Sequence, residues 1–260
     1  MGNGKFNKKA LILGTIGIAA LLVIWQIIAV TITNKRALPE PLIVLRSFVR
    51  AFTVPIGQYT LPIHIWTSLL RVIIAYSAAA LSGVTLGLLM AWFPKVNAIV
   101  RPIFELLRPI PPLAWIPMSI IWFGIGETTK YFIIFIATFF TITINAYSGA
   151  RETDPVLIGA GKMLGASQRQ IFFTVVLPGA VPQIFAGLQV ALSSGWMAVL
   201  AAEMVRSSDG VGWVIIRGME VGDTSQILVG MIAIAVVGFS IAQIMRLAER
   251  RLCAWNIQGS

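Results

Sequence analysis

Apolar runs at 10–32, 69–93, 113–125, 131–147, 181–204 and 227–247 alternate with shorter segments that hold most of the charged residues. A helix needs about 20 predominantly apolar residues to cross a hydrocarbon layer of about 30 Å. The third run is short by itself and needs the proline-rich stretch before it. The pattern predicts an all-α integral membrane protein of about six transmembrane helices, with residues 1–260 forming a single transmembrane domain. Between the first two runs, Leu38, Leu42, Leu45, Val49 and Phe52 recur at helical spacing, and Arg46 and Arg50 fall on another face. That is the pattern of an amphipathic helix lying in the membrane interface. The two arginines alternatively meet an anionic substrate or an acidic partner.

The polar interruption at 159–182, GAGKMLGASQRQIFFTVVLPGAVP, must sit in water because apolar runs flank it on both sides. It reads as a short helix from Val156 to Leu164, a stop at Gly165, a second short helix and then Leu177-Pro178. Gly165 fits the position just past a helix end, where positive φ costs glycine little. Ser167 can cap the next helix through its side-chain oxygen. Two short helices on the cytoplasmic face give a soluble partner something to grip.

Pro109, Pro111, Pro112 and Pro117 crowd the stretch RPIPPLAWIP (108–117). Each proline lacks an amide donor and restricts its predecessor, so an ordinary helix is excluded. Irregular backbone at membrane depth is tolerated where it is buried in protein or lines a watery cavity. Both readings stay open, a kink that shapes the bundle or the lining of a passage. Gly83, Gly87 and Ala91 form a small-residue stripe suited to close helix packing. The fifth run is rich in small residues too, including Ala186, Gly187, Ala191, Ser193, Ser194 and Gly195. Glu203 lies near its outer end, as a functional carboxylate or as the ion-pair partner of Arg206. His64 is expected at headgroup level.

Composition narrows the class. The chain is 57% hydrophobic and 12% charged, whereas soluble domains carry about 25% charged residues. The net charge of +10 is explained by Lys and Arg that set topology, and no nucleic-acid partner is expected. With a cytoplasmic N-terminus, the inside segments hold Lys5, Lys8, Lys9, Lys95, Arg101, Arg108, Arg151, Lys162, Arg169, Arg246, Arg250 and Arg251. The outside segments hold the smaller set of Lys35, Arg36, Arg46, Arg50, Arg71, Lys130, Arg206 and Arg217. This bias puts residues 159–182 and both termini in the cytoplasm. The N-terminal apolar run is longer than a signal-peptide core and is expected to be a retained span. One cysteine, Cys253, excludes an internal disulfide, and with one histidine it leaves no His-Cys metal cluster. The sequence contains no phosphate-cradling P-loop and no catalytic dyad within the apolar runs.

The polar interruption resembles the "EAA" cytoplasmic signature of binding-protein-dependent ABC-importer permeases: E-A-A, three residues, G, nine residues, I-x-L-P. Gly159-Ala160-Gly161, then Gly165, then Val175-Val176-Leu177-Pro178 occupy those places at the same spacing. Gly159 replaces the acid, Gly161 the second alanine and Val175 the isoleucine. The run RPIPPLAWIPMSIIWFGIGETTK (108–130) is similar to the nitrate/sulfonate/taurine branch, and to its taurine-type members above all. The likeness covers about residues 38–255.

The resemblance implies a type I ABC-importer permease fold in a bacterial inner membrane, with a cytoplasmic coupling loop at about 149–180. It implies a second copy of the chain, two cytoplasmic ATPase subunits that bind ATP and magnesium, and an extracytoplasmic substrate-binding protein. Membrane lipid surrounds the assembly, and this chain needs no cofactor of its own. Gly159, Ala160, Lys162, Leu164, Gly165, Ala166 and Ser167 would meet the ATPase. Pro111, Pro112, Trp115, Ser194, Trp196 and Glu203 are candidates for the passage, from irregular backbone, small-residue lining and depth. The implied solute is a small anion or zwitterion, taurine or another sulfonate first, with nitrate, bicarbonate or an aromatic acid as alternatives. The other classes are a membrane-embedded enzyme, a scaffold subunit, and a self-contained channel or ion-coupled carrier. The enzyme would need acid, base or nucleophile groups inside the bundle, and the carrier more buried charge.

Overall fold

Small residues decide how closely the central helices approach. The computed structural model describes residues 8–32, 37–205 and 207–252, and among these it holds helices and turns but no strand. Lys5, Lys35, Arg36, Arg206 and Cys253 lie outside the described residues. The elements run α1 (Lys8–Thr31), α2 (Pro41–Arg50), α3 (Leu61–Trp92), α4 (Pro94–Leu107) and α5 (Ile116–Phe123). They continue as α6 (Glu127–Arg151), α7 (Pro155–Met163), α8 (Gln168–Ile171), α9 (Leu177–Met204), α10 (Val211–Val221) and α11 (Thr224–Leu252).

Helix α6 packs between α3 and α9. Where α3 crosses α6, a Cβ at Gly87 would lie 2.5 Å from the Thr143 carbonyl oxygen and 2.7 Å from Ala146 Cβ. The stripe of Gly83 and Gly87 is therefore a packing seam. Ala79, Ile142 and Ala191 join the three helices in one buried cluster. A second cluster, Val72, Ala75, Ile134, Trp196 and Val199, is reached from α11 by Ile234 and Val237. The Trp196 indole N–H donates to the Ile234 carbonyl at 3.1 Å, so this side chain is held inside the protomer. Helix α1 stands apart, held to the residues just before α2 through Trp25 and Gln26, which donate to Pro39 O and Glu40 Oε2 at 3.1 and 3.2 Å. Helix α2 is amphipathic as expected: Leu42, Leu45 and Val49 are exposed, while Val44 is buried on the opposite side.

Three expectations change. Among the described residues, five helices are long and apolar enough to span a membrane, and the candidate for the sixth crossing is a bent pair of shorter helices. Pro94–Leu107 and Pro112–Phe123 meet at a 90° bend, because Pro109, Pro111 and Pro112 remove consecutive helix donors. The second short helix does not end at Leu177-Pro178. Gln168–Met204 is one 37-residue helical run through a π-turn at Phe172–Val176, where the Leu177 N–H bonds Phe172 O. Pro178 follows in the first turn of α9, where a missing N–H is tolerated. His64 is fully buried inside α3, because that helix begins at Leu61 rather than at 69.

A Gly87→Val substitution is expected to force α3 from α6 and cost about 1–3 kcal/mol, lowering the thermal unfolding midpoint in detergent. Gly159→Ala, with nothing within 4 Å of its new Cβ, should hold or slightly raise the midpoint, because alanine is the better helix former.

Candidate functional site

Two polar sites occupy opposite ends of the bundle. From Arg71 to Trp92 along α3 is about 31 Å at 1.5 Å per residue, close to the thickness of a hydrocarbon core.

At one end Arg71, 2% exposed, gathers acids from three elements. Its Nε and Nη2 donate to the two Glu127 oxygens at 2.7 Å each, a bidentate fork to the start of α6. Nη1 donates to Glu203 Oε1 at 2.7 Å, at the end of α9. Nη2 also reaches Asp209 in the α9–α10 loop. Glu203 accepts further from Ser68 Oγ at 2.8 Å and from the Gly212 N–H at 2.9 Å. Lys130 Nζ donates to Glu127 at 2.7 Å and to Ser207 Oγ at 2.8 Å. Each buried charge is thus paired and further hydrogen-bonded, the condition for a buried ion cluster to be tolerated.

The loop is sewn to α3 by two more bonds. The Val211 N–H donates to Ser68 Oγ at 2.9 Å, and the Gly210 N–H to His64 Nδ1 at 3.1 Å. His64 Nε2 lies 3.1 Å from Ile56 O. Because Nδ1 accepts, Nε2 carries the proton and donates. Trp213 stacks on the imidazole at 5.3 Å. Gly210 has φ +97° and lies over the Glu203 carboxylate, where a Cβ would overlap it.

The other end is the polar interruption. Asp154 caps α7, accepting from the Val156 N–H at 2.8 Å, with Pro155 at the first helical position. The helix ends in a Schellman motif: the Ala166 N–H bonds Gly161 O and the Gly165 N–H bonds Lys162 O, each at 3.0 Å, with Gly165 at φ +77°. Ser167 and Gln170 then form a reciprocal capping box at the start of α8. Ile171 is fully buried against Ala150, Val176 and Ala180, with Trp92, Ile158 and Phe172 packed around them. The loop is thereby fixed to the ends of α3 and α6. Met163 and Leu164, in contrast, are 85% and 87% exposed.

The site residues anticipated from sequence fall as follows. Gly159 and Ala160 lie on α7 and are half-buried; Lys162, Leu164, Gly165 and Ser167 are exposed at or beyond its tip, and Ala166 is half-buried against the Ile171 cluster. Pro111 is exposed, and Pro112 and Trp115 are half-buried at the bend of the broken span. The Trp115 indole N–H has no hydrogen-bond partner among the described residues. Ser194 is half-buried and donates to Val190 O at 3.2 Å. Glu203 is buried on Arg71, and its other expected partner, Arg206, lies outside the described residues. Arg71 and Lys130, counted as loop charges that set topology, are instead buried members of the ion cluster. The available signal was Arg71 standing inside an otherwise apolar helical pattern, a costly placement that demands a partner.

The family described as binding-protein-dependent transport system inner membrane component matches residues 83–253. The taurine transport system permease protein of Escherichia coli (strain K12) is 37% identical over 253 residues, covering 96% of this chain and 91% of that protein. The nitrate import permease protein of Synechocystis sp. (strain PCC 6803) is 33% identical over 239 residues, covering 90% and 86%. Among solved structures, an inward-facing methionine ABC transporter matches with a TM-score of 0.65 at 19% identity, covering 74% of this chain and 95% of that chain. At that identity the likeness concerns the fold.

Arg71→Met should be more damaging than Glu203→Gln. The first leaves three acids around Lys130 alone, whereas the second leaves two cations facing two acids. Loss of Arg71 is expected to cost about 3–5 kcal/mol, and Glu203→Gln clearly less. Thermal unfolding of the two variants in detergent checks the order.

Proposed function

The chain belongs to the family of binding-protein-dependent transport system inner membrane components, and from that premise we propose how its two polar ends divide the work of an importer. Permeases of this family work with an ATPase and a substrate-binding protein. The 159–182 end faces the cytoplasm and receives the ATPase. Both termini lie on that side, and the Arg71 end faces outward toward the binding protein. Two copies of the chain, in lipid, enclose the passage between them. ATP and magnesium belong to the partner ATPase.

The single observation that carries this reading is the exposed apolar tip of α7. Met163 and Leu164 are exposed on a helix end closed by a Schellman motif and anchored beneath by Ile171. Apolar side chains held rigidly in solvent fit a docking knob for a preformed cleft. The knob is braced against α3, α6 and α9 rather than tethered to them. Movement of the ATPase can then bias the bundle between inward-facing and outward-facing states, by differential contact with the two.

The solute is a small anion or zwitterion, with taurine or another sulfonate first and nitrate the second reading. The relatives named for taurine and nitrate support this class, because both solutes carry an oxoanion group.

Leu164→Asp should abolish ATPase stimulation by loaded binding protein in reconstituted vesicles while leaving the stability within about 0.5 kcal/mol of wild type. Gly165→Val, forced to φ +77°, should lose stimulation and also about 1–2 kcal/mol of stability. Stimulation unchanged in both variants would contradict the docking role. The solute that stimulates the wild type identifies the cargo.

A further inference from the structure

Arg108 was assigned by sequence to a cytoplasmic loop, and the contacts of its neighbours place it elsewhere. Phe104, one helical turn before it, packs on Phe140 with ring centroids 5.0 Å apart. Along α6, Phe140 is about 20 Å from Glu127 and about 16 Å from Arg151 at 1.5 Å per residue, so this contact is near mid-depth. Trp115, seven residues after Arg108, meets Phe132 at 6.2 Å, about 8 Å from the Glu127 end by the same rise. Arg108 is bracketed between these two levels. It caps α4, its N–H bonded to Phe104 O at 2.9 Å, and stands at the elbow where the broken span turns by 90°.

Its side chain is exposed and makes no hydrogen bond or ion pair among the described residues. The nearest acid in sequence, Glu105, is already paired with Arg101 at 2.7 Å. A lone cation at the centre of a span costs about 2.5–3.5 kcal/mol against lipid even on the lowest scale. Its neighbourhood is also the stretch whose irregular backbone, Pro109 to Pro112, is tolerated only against protein or a water-filled cavity. The unpartnered Trp115 indole N–H at the same bend adds a second donor with nothing to bind.

We propose that Arg108 is the anion-recognition group of the passage, binding the oxoanion moiety of the transported solute at mid-depth. The inference rests on the importer reading for the identity of the solute, and on the contacts above for the position of the charge. A guanidinium offers a planar fork of donors that matches a sulfonate, nitrate or carboxylate. The same fork suits a lipid phosphate, so the test separates the two sources.

The test uses the full-length chain in vesicles, with Cys253→Ser removing the only native thiol and Ile110→Cys placing one beside Arg108. The labelling rate is measured with an anionic (sulfonatoethyl) and a cationic (trimethylammonioethyl) methanethiosulfonate. The anionic-to-cationic rate ratio is expected to be about tenfold higher with Arg108 than in Arg108→Gln, the low end of electrostatic focusing. Arg108→Lys should restore it. Millimolar taurine or nitrate should slow labelling only when position 108 is cationic. No labelling by either reagent would place the elbow in lipid and overturn the proposal. So would a ratio indifferent to Arg108, or a ratio that requires anionic lipid and is untouched by taurine and nitrate. Because no ATPase is needed, a failure of the coupling reading leaves this result readable.

Discussion

Burying a guanidinium in a membrane-spanning helix is permissible only if every acid it needs arrives at the same point, and that requirement orders one half of the bundle. Arg71 on α3 is met by Glu127 from α6, Glu203 from α9 and Asp209 from the following loop. Each of those elements is held in register by the ion it supplies. Leaving any charge unpaired there costs more than the pair contributes, so the cluster specifies one arrangement of the three central helices. The α9–α10 loop then closes over it with backbone N–H groups donated to Ser68, His64 and Glu203.

At the opposite end the constraint is local rather than electrostatic. Pro155, the Asp154 cap, Gly165 with its Schellman bonds and the Ser167–Gln170 box define two short helices without help from the bundle. Ile171 and the π-turn then connect them to α9 without a break. A continuous helical run therefore leads from Gln168, just beyond the exposed α7 tip, to Glu203 in the ion cluster. Displacement at one end of a stiff, closely packed rod is transmitted to the other because such interfaces repack between discrete states rather than deform. The bent pair α4–α5 lies outside this run and carries at its bend Arg108, unpaired among the described residues.

Legibility in the sequence followed the range of the determining interaction. Gly165, Ser167 and the spans were readable because caps and apolar runs are written within a few residues. The small-residue stripe was readable as packing for the same reason, and Gly87 against Ala146 shows what it packs on. The ion cluster was not, because its members lie up to 138 residues apart and no local pattern pairs Arg71 with Asp209. His64 was misplaced because α3 begins at Leu61, eight residues before the apolar run. The prolines at 109–112 announced irregular backbone, but the 90° angle between α4 and α5 depends on the helices each packs against, α3 and α6. Pro178 looked like a stop because the π-turn that carries the helix through to it has no sequence signature.

The most direct measurement of the account is site-directed crosslinking between this chain and its ATPase in the assembled complex. With Cys253→Ser as background, a thiol is placed either at Leu164→Cys on the knob or at Met219→Cys on exposed α10 at the far end. If the α7 tip docks the ATPase, position 164 crosslinks to it and position 219 does not. A crosslink from 219, or none from 164 in a complex that hydrolyses ATP, would contradict that docking.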